Sequence, residues 1–184
     1  MPLLMLKDLP RYECLLEASR SFPALDPSAC EAFLNLLRAG DEAYRQMEAF
    51  FNAYNMTPGR FTVLMLLSEG LEGGSRPQTP AELAEKAGVT RATITGLVDT
   101  LERDGLVTRE HDSDDRRMMR VHITSRGQAA AREILPGHFR RMAALMAPLA
   151  EAERKALVRL LEKVAGQASR MAPGGRAHPT VETA

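Results

Sequence analysis

The sequence predicts a mainly α fold with one small β-hairpin, an α+β chain. Three observations predict it. Most apolar positions recur every three or four residues, which is the helical period. Two short helical segments, Pro80–Ala87 and Arg91–Arg103, are separated by Gly88 and each begun by a threonine. After Asp104-Gly105, two short stretches suited to strands flank the polar run HDSDDRR. Helix, tight turn, helix and basic-tipped hairpin, in that order, make a winged helix-turn-helix, in which one helix suits the major groove of DNA and the hairpin tip lies beside it.

With 184 residues, the chain suffices for one domain with appendages and for a real core. Basic and acidic residues balance at 24 each, which argues mildly against nucleic-acid binding. The charge is unevenly placed, however. Arg116, Arg117, Arg120 and Arg126 fall in a stretch without acids, just after Glu110, Asp112, Asp114 and Asp115. A local patch binds phosphate whatever the total charge. Cys14 and Cys30 form no CxxC and no zinc spacing. The start MPLLMLKDLP lacks the basic region of a signal peptide, and nothing downstream has the length of a membrane span. A cytoplasmic protein with reduced thiols and no membrane partner is expected.

In chain order, residues 1–26 read as an N-terminal arm punctuated by Pro10, Pro23 and Pro27, with a helical turn or two between Leu9 and Ser19. Residues 27–56 form one long helix, about Ser28 to Tyr54, with a wide apolar stripe that includes Phe33, Leu37, Tyr44, Met47, Phe50 and Phe51. Residues 57–124 hold the winged unit. Thr57-Pro58 opens its first helix, with core face Phe61, Leu64, Met65 and Leu67, and Ser68–Gln78, rich in glycine, is a flexible loop. Thr79-Pro80-Ala81-Glu82 is a capping box. Gly88 supplies the left-handed turn. Strands follow at Leu106–Glu110 and Met118–Ile123, and Thr124 caps the next helix. Residues 125–170 are two further helices, with a kink expected at Pro136-Gly137. Residues 171–184 show no pattern and read as a disordered tail.

Within the two-helix unit, Ala84 permits a close helix crossing, Gly88 the turn, and Ile94 plugs the angle. If Ile94, Leu97, Val98 and Leu101 face inward, Arg91, Ala92, Thr93, Thr95 and Gly96 face out near the helix start. These residues are small, hydroxylic or basic, as major-groove contact requires. A solvated helix face more usually carries Glu and Lys. At the hairpin tip, an arginine suits the negative minor groove, and Asp115 is placed to orient Arg117. His111, His122, His138 and His178 are scattered, and there is no nucleophile–base set or phosphate-binding glycine loop. No enzyme, cofactor or metal site is expected.

These residues resemble the MarR family of bacterial transcription regulators, closely from about Met56 to Gly127. The matching pieces are MTPGRFTVLMLL, TPAELAEKAGVTRATITGLVDTLERDGLVTR and DSDDRRMMRVHITSRG, with Asp115-Arg116-Arg117 as the wing signature. The resemblance implies a homodimer whose N- and C-terminal helices interleave, a helical dimerisation region outside the winged unit. It implies binding to double-stranded DNA at a pseudo-palindromic operator, most often as a repressor. It assigns major-groove roles to Arg91, Thr93 and Thr95, minor-groove roles to Arg117 with Arg116 and Asp115 beside it, and places Thr79 and Thr90 near phosphates. A small phenolic or aromatic effector is implied between the dimer helices and the winged unit. Met47, Phe51 and Phe61 are candidates to line that pocket, although their spacing fits plain core as well. Cys30 lies where a hydroperoxide-sensing branch keeps its reactive thiol, but SACEAF does not match that branch's motif. A thiol-based sensor and a winged-helix protein-interaction module remain the alternatives.

Overall fold

The computed structural model describes residues 8–68, 76–111 and 118–171. It contains α1 (Tyr12–Ser21), α2 (Pro27–Asn52), α3 (Pro58–Leu67), α4 (Pro80–Ala87), α5 (Arg91–Arg103), β1 (Val107–His111), β2 (Met119–Ile123), α6 (Ser125–Met146) and α7 (Glu151–Met171). The chain divides into two compact units, residues 1–139 and 140–184.

Local hydrogen bonds start most of these helices. The Asp26 carboxylate accepts from the backbone N–H of Ser28 and Ala29 at 3.0 and 3.1 Å, with Pro27 at the first helical position. α2 stops at Asn52, two residues before its expected end, because Asn55 turns left-handed at φ 50° and the Met56 N–H donates back to Phe51 O. Asparagine tolerates that conformation better than most side chains. Thr57 caps α3 by accepting from Arg60 N at 3.2 Å.

The capping box of α4 is complete. Thr79 Oγ1 accepts from Glu82 N at 3.2 Å, and the Glu82 carboxylate accepts from Thr79 N at 2.7 Å. Those bonds to Thr79 hold the Glu82 carboxyl below its ordinary value. Thr79→Ala is expected to cost about 1–2 kcal/mol, read from the urea midpoint at neutral pH. The carboxyl's contribution is present above its unfolded value of 4.5 and is lost as pH falls through the lower folded value. The gap between wild type and variant should therefore narrow on acidification.

β1 and β2 pair antiparallel from Val107↔Ile123 to His111↔Met119. The loop expected over Ser68–Gln78 needs correction at its end. Gln78 is buried and bridges the free edge of β2: its N–H donates to Val121 O, and Val121 N–H donates to Gln78 O at 2.8 Å. The Gln78 side-chain amide also donates to Leu66 O. The hairpin is thereby tied to the end of α3. Residues 69–75 lie outside the described residues, as do residues 1–7 of the arm and 172–184 of the tail.

Among the described residues, a hydrophobic core is built from Phe50 and Phe51 of α2, the inward face of α3, Leu83, Ile94, Val98, Leu101, Val107, Val121, Ile123 and Ile134. On α3, Val63 is fully buried whereas Met65 is only partly so, a shift of the expected inward face. Thr124 joins β2 to α6. Its hydroxyl accepts from Gly127 N and donates to Gly105 O, and its N–H donates to Leu106 O. α6 remains helical through Pro136. In residues 140–184, α7 has no buried residue, and Val158, Leu160, Leu161 and Val164 are exposed.

Candidate nucleic-acid interface

The crossing of α4 and α5 begins with two caps and a turn. Gly88 takes φ 66°, ψ 27° at the end of α4, and its N–H closes the last turn. Few side chains accept that conformation. Thr90 then caps α5 by accepting from Thr93 N at 3.1 Å. Ala84 is buried, allowing the helices to approach, and Ile94, Val98 and Leu101 have no exposed surface. Burial of that face turns the opposite one outward: Thr90, Arg91, Ala92, Thr93, Thr95 and Gly96 are all exposed.

This outer tip combines short side chains with unused donors. N–H groups in the first turn of a helix have no acceptor within it, and together they favour anions. The Thr90 and Thr93 hydroxyls bond each other at 2.9 Å, and the Thr95 hydroxyl donates to Arg91 O at 3.0 Å. These bonds keep the hydroxyls ordered at the surface, where a base edge or phosphate can replace the partner. Thr79 differs from the others. It is buried and its hydroxyl is engaged with Glu82, so its observed job is to start α4.

A brace unseen in the sequence holds α5 against the hairpin. Arg109 of β1 meets Asp99 at 2.5 Å and Glu102 at 3.3 Å, and its guanidinium also donates to Thr95 O at 3.4 Å. Glu102 accepts from the Arg109 backbone N–H as well. A planar guanidinium can engage several acceptors at once. The acids stand three apart on one helix face, but nothing local says which arginine meets them. Asp115, Arg116 and Arg117, the expected wing residues, lie outside the described residues. The last hairpin pair, His111↔Met119, fixes where the connection leaves and returns.

The candidate effector residues Met47, Phe51 and Phe61 lie together at the core. Phe51 and Phe61 are 2% and 4% exposed with ring centroids 4.8 Å apart, and Met47 packs against the same core. His138 of α6 joins them, 5.3 Å from Phe51 and 5.4 Å from Phe61. Burial pushes its pKa down, and its Nδ1 has no hydrogen-bond partner. Cys30 is half-buried in the first turn of α2, and Cys14 is exposed on α1. Among the described residues, no helix is long and apolar enough to cross a membrane, and no cluster of metal-ligating side chains occurs.

Known proteins share this arrangement. The MarR family model matches residues 56–119, which run from before α3 into β2. The HTH-type transcriptional repressor YetL of Bacillus subtilis is 35% identical over 156 residues, covering 85% of this chain and 92% of YetL. The structure of Bordetella bronchiseptica BpsR, described with regulation of its DNA binding by 6-hydroxynicotinic acid, is similar at TM-score 0.63 and 25% identity, over 71% of this chain and 89% of that one. The transcriptional repressor CouR, bound to a 23-mer DNA duplex, gives TM-score 0.63 and 26% identity over 72% and 90%. With the family model matched across the winged unit and 35% identity to YetL over 85% of its length, the chain belongs to the MarR family of DNA-binding transcriptional regulators.

Proposed function

We propose that this protein is a homodimeric repressor that binds a pseudo-palindromic operator in double-stranded DNA and is released by a small-molecule effector. The observation that carries the reading is the outer tip of α5: Arg91, Thr93 and Thr95 are exposed on a helix whose opposite face is fully buried. Arg91, Thr93 and Thr95 meet base edges and phosphates of the major groove, with Thr90 beside them. Arg117 enters the adjacent minor groove, with Arg116 nearby and Asp115 orienting it.

Dimerisation is supported by apolar side chains left exposed in the protomer. Phe33 and Tyr44 are exposed on α2, as are Met142 and Leu145 on α6 and the stripe on α7. Large apolar side chains left exposed in this way mark association surfaces. Two copies related by a two-fold axis bring two α5 helices to half-sites about one helical turn apart, roughly 34 Å. The effector acts by population shift, favouring a helix spacing that no longer fits both half-sites. Regulation of BpsR by 6-hydroxynicotinic acid supports a small-molecule effector here.

The test is binding to the chain's own upstream DNA at two salt concentrations. A steep fall in affinity with salt is expected from phosphate contacts. Arg117→Ala should weaken binding by about 1–3 kcal/mol while leaving the unfolding midpoint in place. Wild-type protein that binds no duplex would sink the reading and leave a protein-interaction module.

A further inference from the structure

The long helix α2 joins the winged unit through one short turn, residues 53–57. Asn55 is left-handed there at φ 50°, and Met56 N–H donates back to Phe51 O at 3.1 Å. Phe50 and Phe51 pack into the core just before the turn, whereas Phe33 and Tyr44, farther up α2, are exposed. The direction in which α2 leaves the core is therefore set close to this turn.

Arg60 of α3 reaches across it. One terminal nitrogen of its guanidinium donates to Asn55 O at 3.1 Å, and the other donates to the Asp104 carboxylate. Asp104 is the C-cap of α5, and Gly105, left-handed at φ 70°, turns the chain from there toward β1. One side chain thus fastens the turn after α2 to the point where α5 passes into the hairpin. A planar guanidinium serves both acceptors at fixed angles.

Two features set this contact apart from ordinary packing. A carboxylate at a helix C-terminus is opposed by the helix dipole, so Asp104 does little for α5 unless a cation faces it. The Arg60 side chain is only 12% exposed, and its Nε is buried without an acceptor. An unbonded buried N–H costs stability, which an apolar side chain of similar length would avoid. A pair that adds little net stability can still fix geometry.

We infer that Arg60 is a positioning residue for DNA recognition, bracketing the turn between α2 and α3 and so fixing the angle of the winged unit against α2. The inference rests on the homodimeric operator reading above, in which α2 belongs to the dimerisation region. In such a dimer that angle decides the separation and rotation at which the two α5 helices meet their half-sites. Arg60 and Asp104 touch no base in this account. They act through the placement of α5.

The test is binding of the full chain to its upstream duplex and to the same duplex with two base pairs inserted at the centre of the palindrome, which turns one half-site by about 70° against the other. Wild type should bind the lengthened duplex at least tenfold more weakly. In Arg60→Met and Asp104→Ala that ratio should fall below threefold, with urea midpoints near wild type. The double variant should be no worse than either single one, because both remove the same bond. Asp104→Asn, whose amide oxygen can accept from the guanidinium, should keep the wild-type ratio. Hydrogen exchange of the Met56 amide should quicken at least tenfold in Arg60→Met, while that of Val98 in α5 stays unchanged. Full discrimination in both single variants, or a ratio that falls only in step with the unfolding midpoint, would overturn the inference and leave the operator reading in place. Wild type that binds neither duplex would remove that reading and this inference with it.

Discussion

Gly127→Ala is expected to destabilise the protein by about 3 kcal/mol or more, at the top of the range for overpacked sites. A Cβ at this position would stand 2.1 Å from Leu106 O and 2.8 Å from Ile123 Cγ1. The first of these is backbone, and it cannot swing aside as a side-chain end would. Leu106 O also accepts from Thr124 N, so moving it breaks the joint between the hairpin and α6. Gly127 N–H is itself the donor to the Thr124 cap. The variant must give up either the cap or the seating of α6 against the start of β1. Thermal unfolding should show a midpoint lower by about 6–12 °C for a chain of this length. A midpoint within about 2 °C of wild type would mean that α6 does not approach the hairpin as described.

Ile94→Ala should cost about 2–4 kcal/mol, and its effect on DNA binding should follow from its effect on folding. Ile94 has no exposed surface and sits in the angle between α4 and α5, in the cluster with Leu83, Ala84 and Val98. Removing its outer carbons leaves a cavity where the two helices cross, and neither backbone can close it without tilting α5. Ile94→Val, which removes one methylene, should cost only about 0.5–1.5 kcal/mol. Urea unfolding and duplex titration should be run on both variants. A graded loss of stability, with duplex affinity falling in the same order, is expected. Full stability in Ile94→Ala would show that another residue sets the crossing. Arg117→Ala offers the contrast, since it should lose affinity and keep its midpoint.

The starts and stops of helices were legible because they are local. Thr57, Thr79, Thr90 and Thr124 each accept from an N–H three residues on. Gly88 needs only its own backbone angles to end α4. The alternation of Met119, Val121 and Ile123 likewise set the facing of β2, with Val121 and Ile123 buried. The outward residues of α5 followed from the helical period once its inward face was known. Less legible was which apolar residue meets core. Phe33 and Phe51 share one stripe on α2, yet Phe33 is exposed in the protomer and Phe51 is buried.

By itself, then, the sequence determined the order of elements, the helix caps of the winged unit and the outer face of α5, since caps, turns and periodicity act over a few residues. The tertiary structure alone decided what distant segments do to one another. Arg60 pairs with Asp104 across 44 positions, Arg109 reaches Asp99 and Glu102, and Gln78 bridges Val121. No spacing rule names such partners, because each contact exists only after the chain has closed the loop between them.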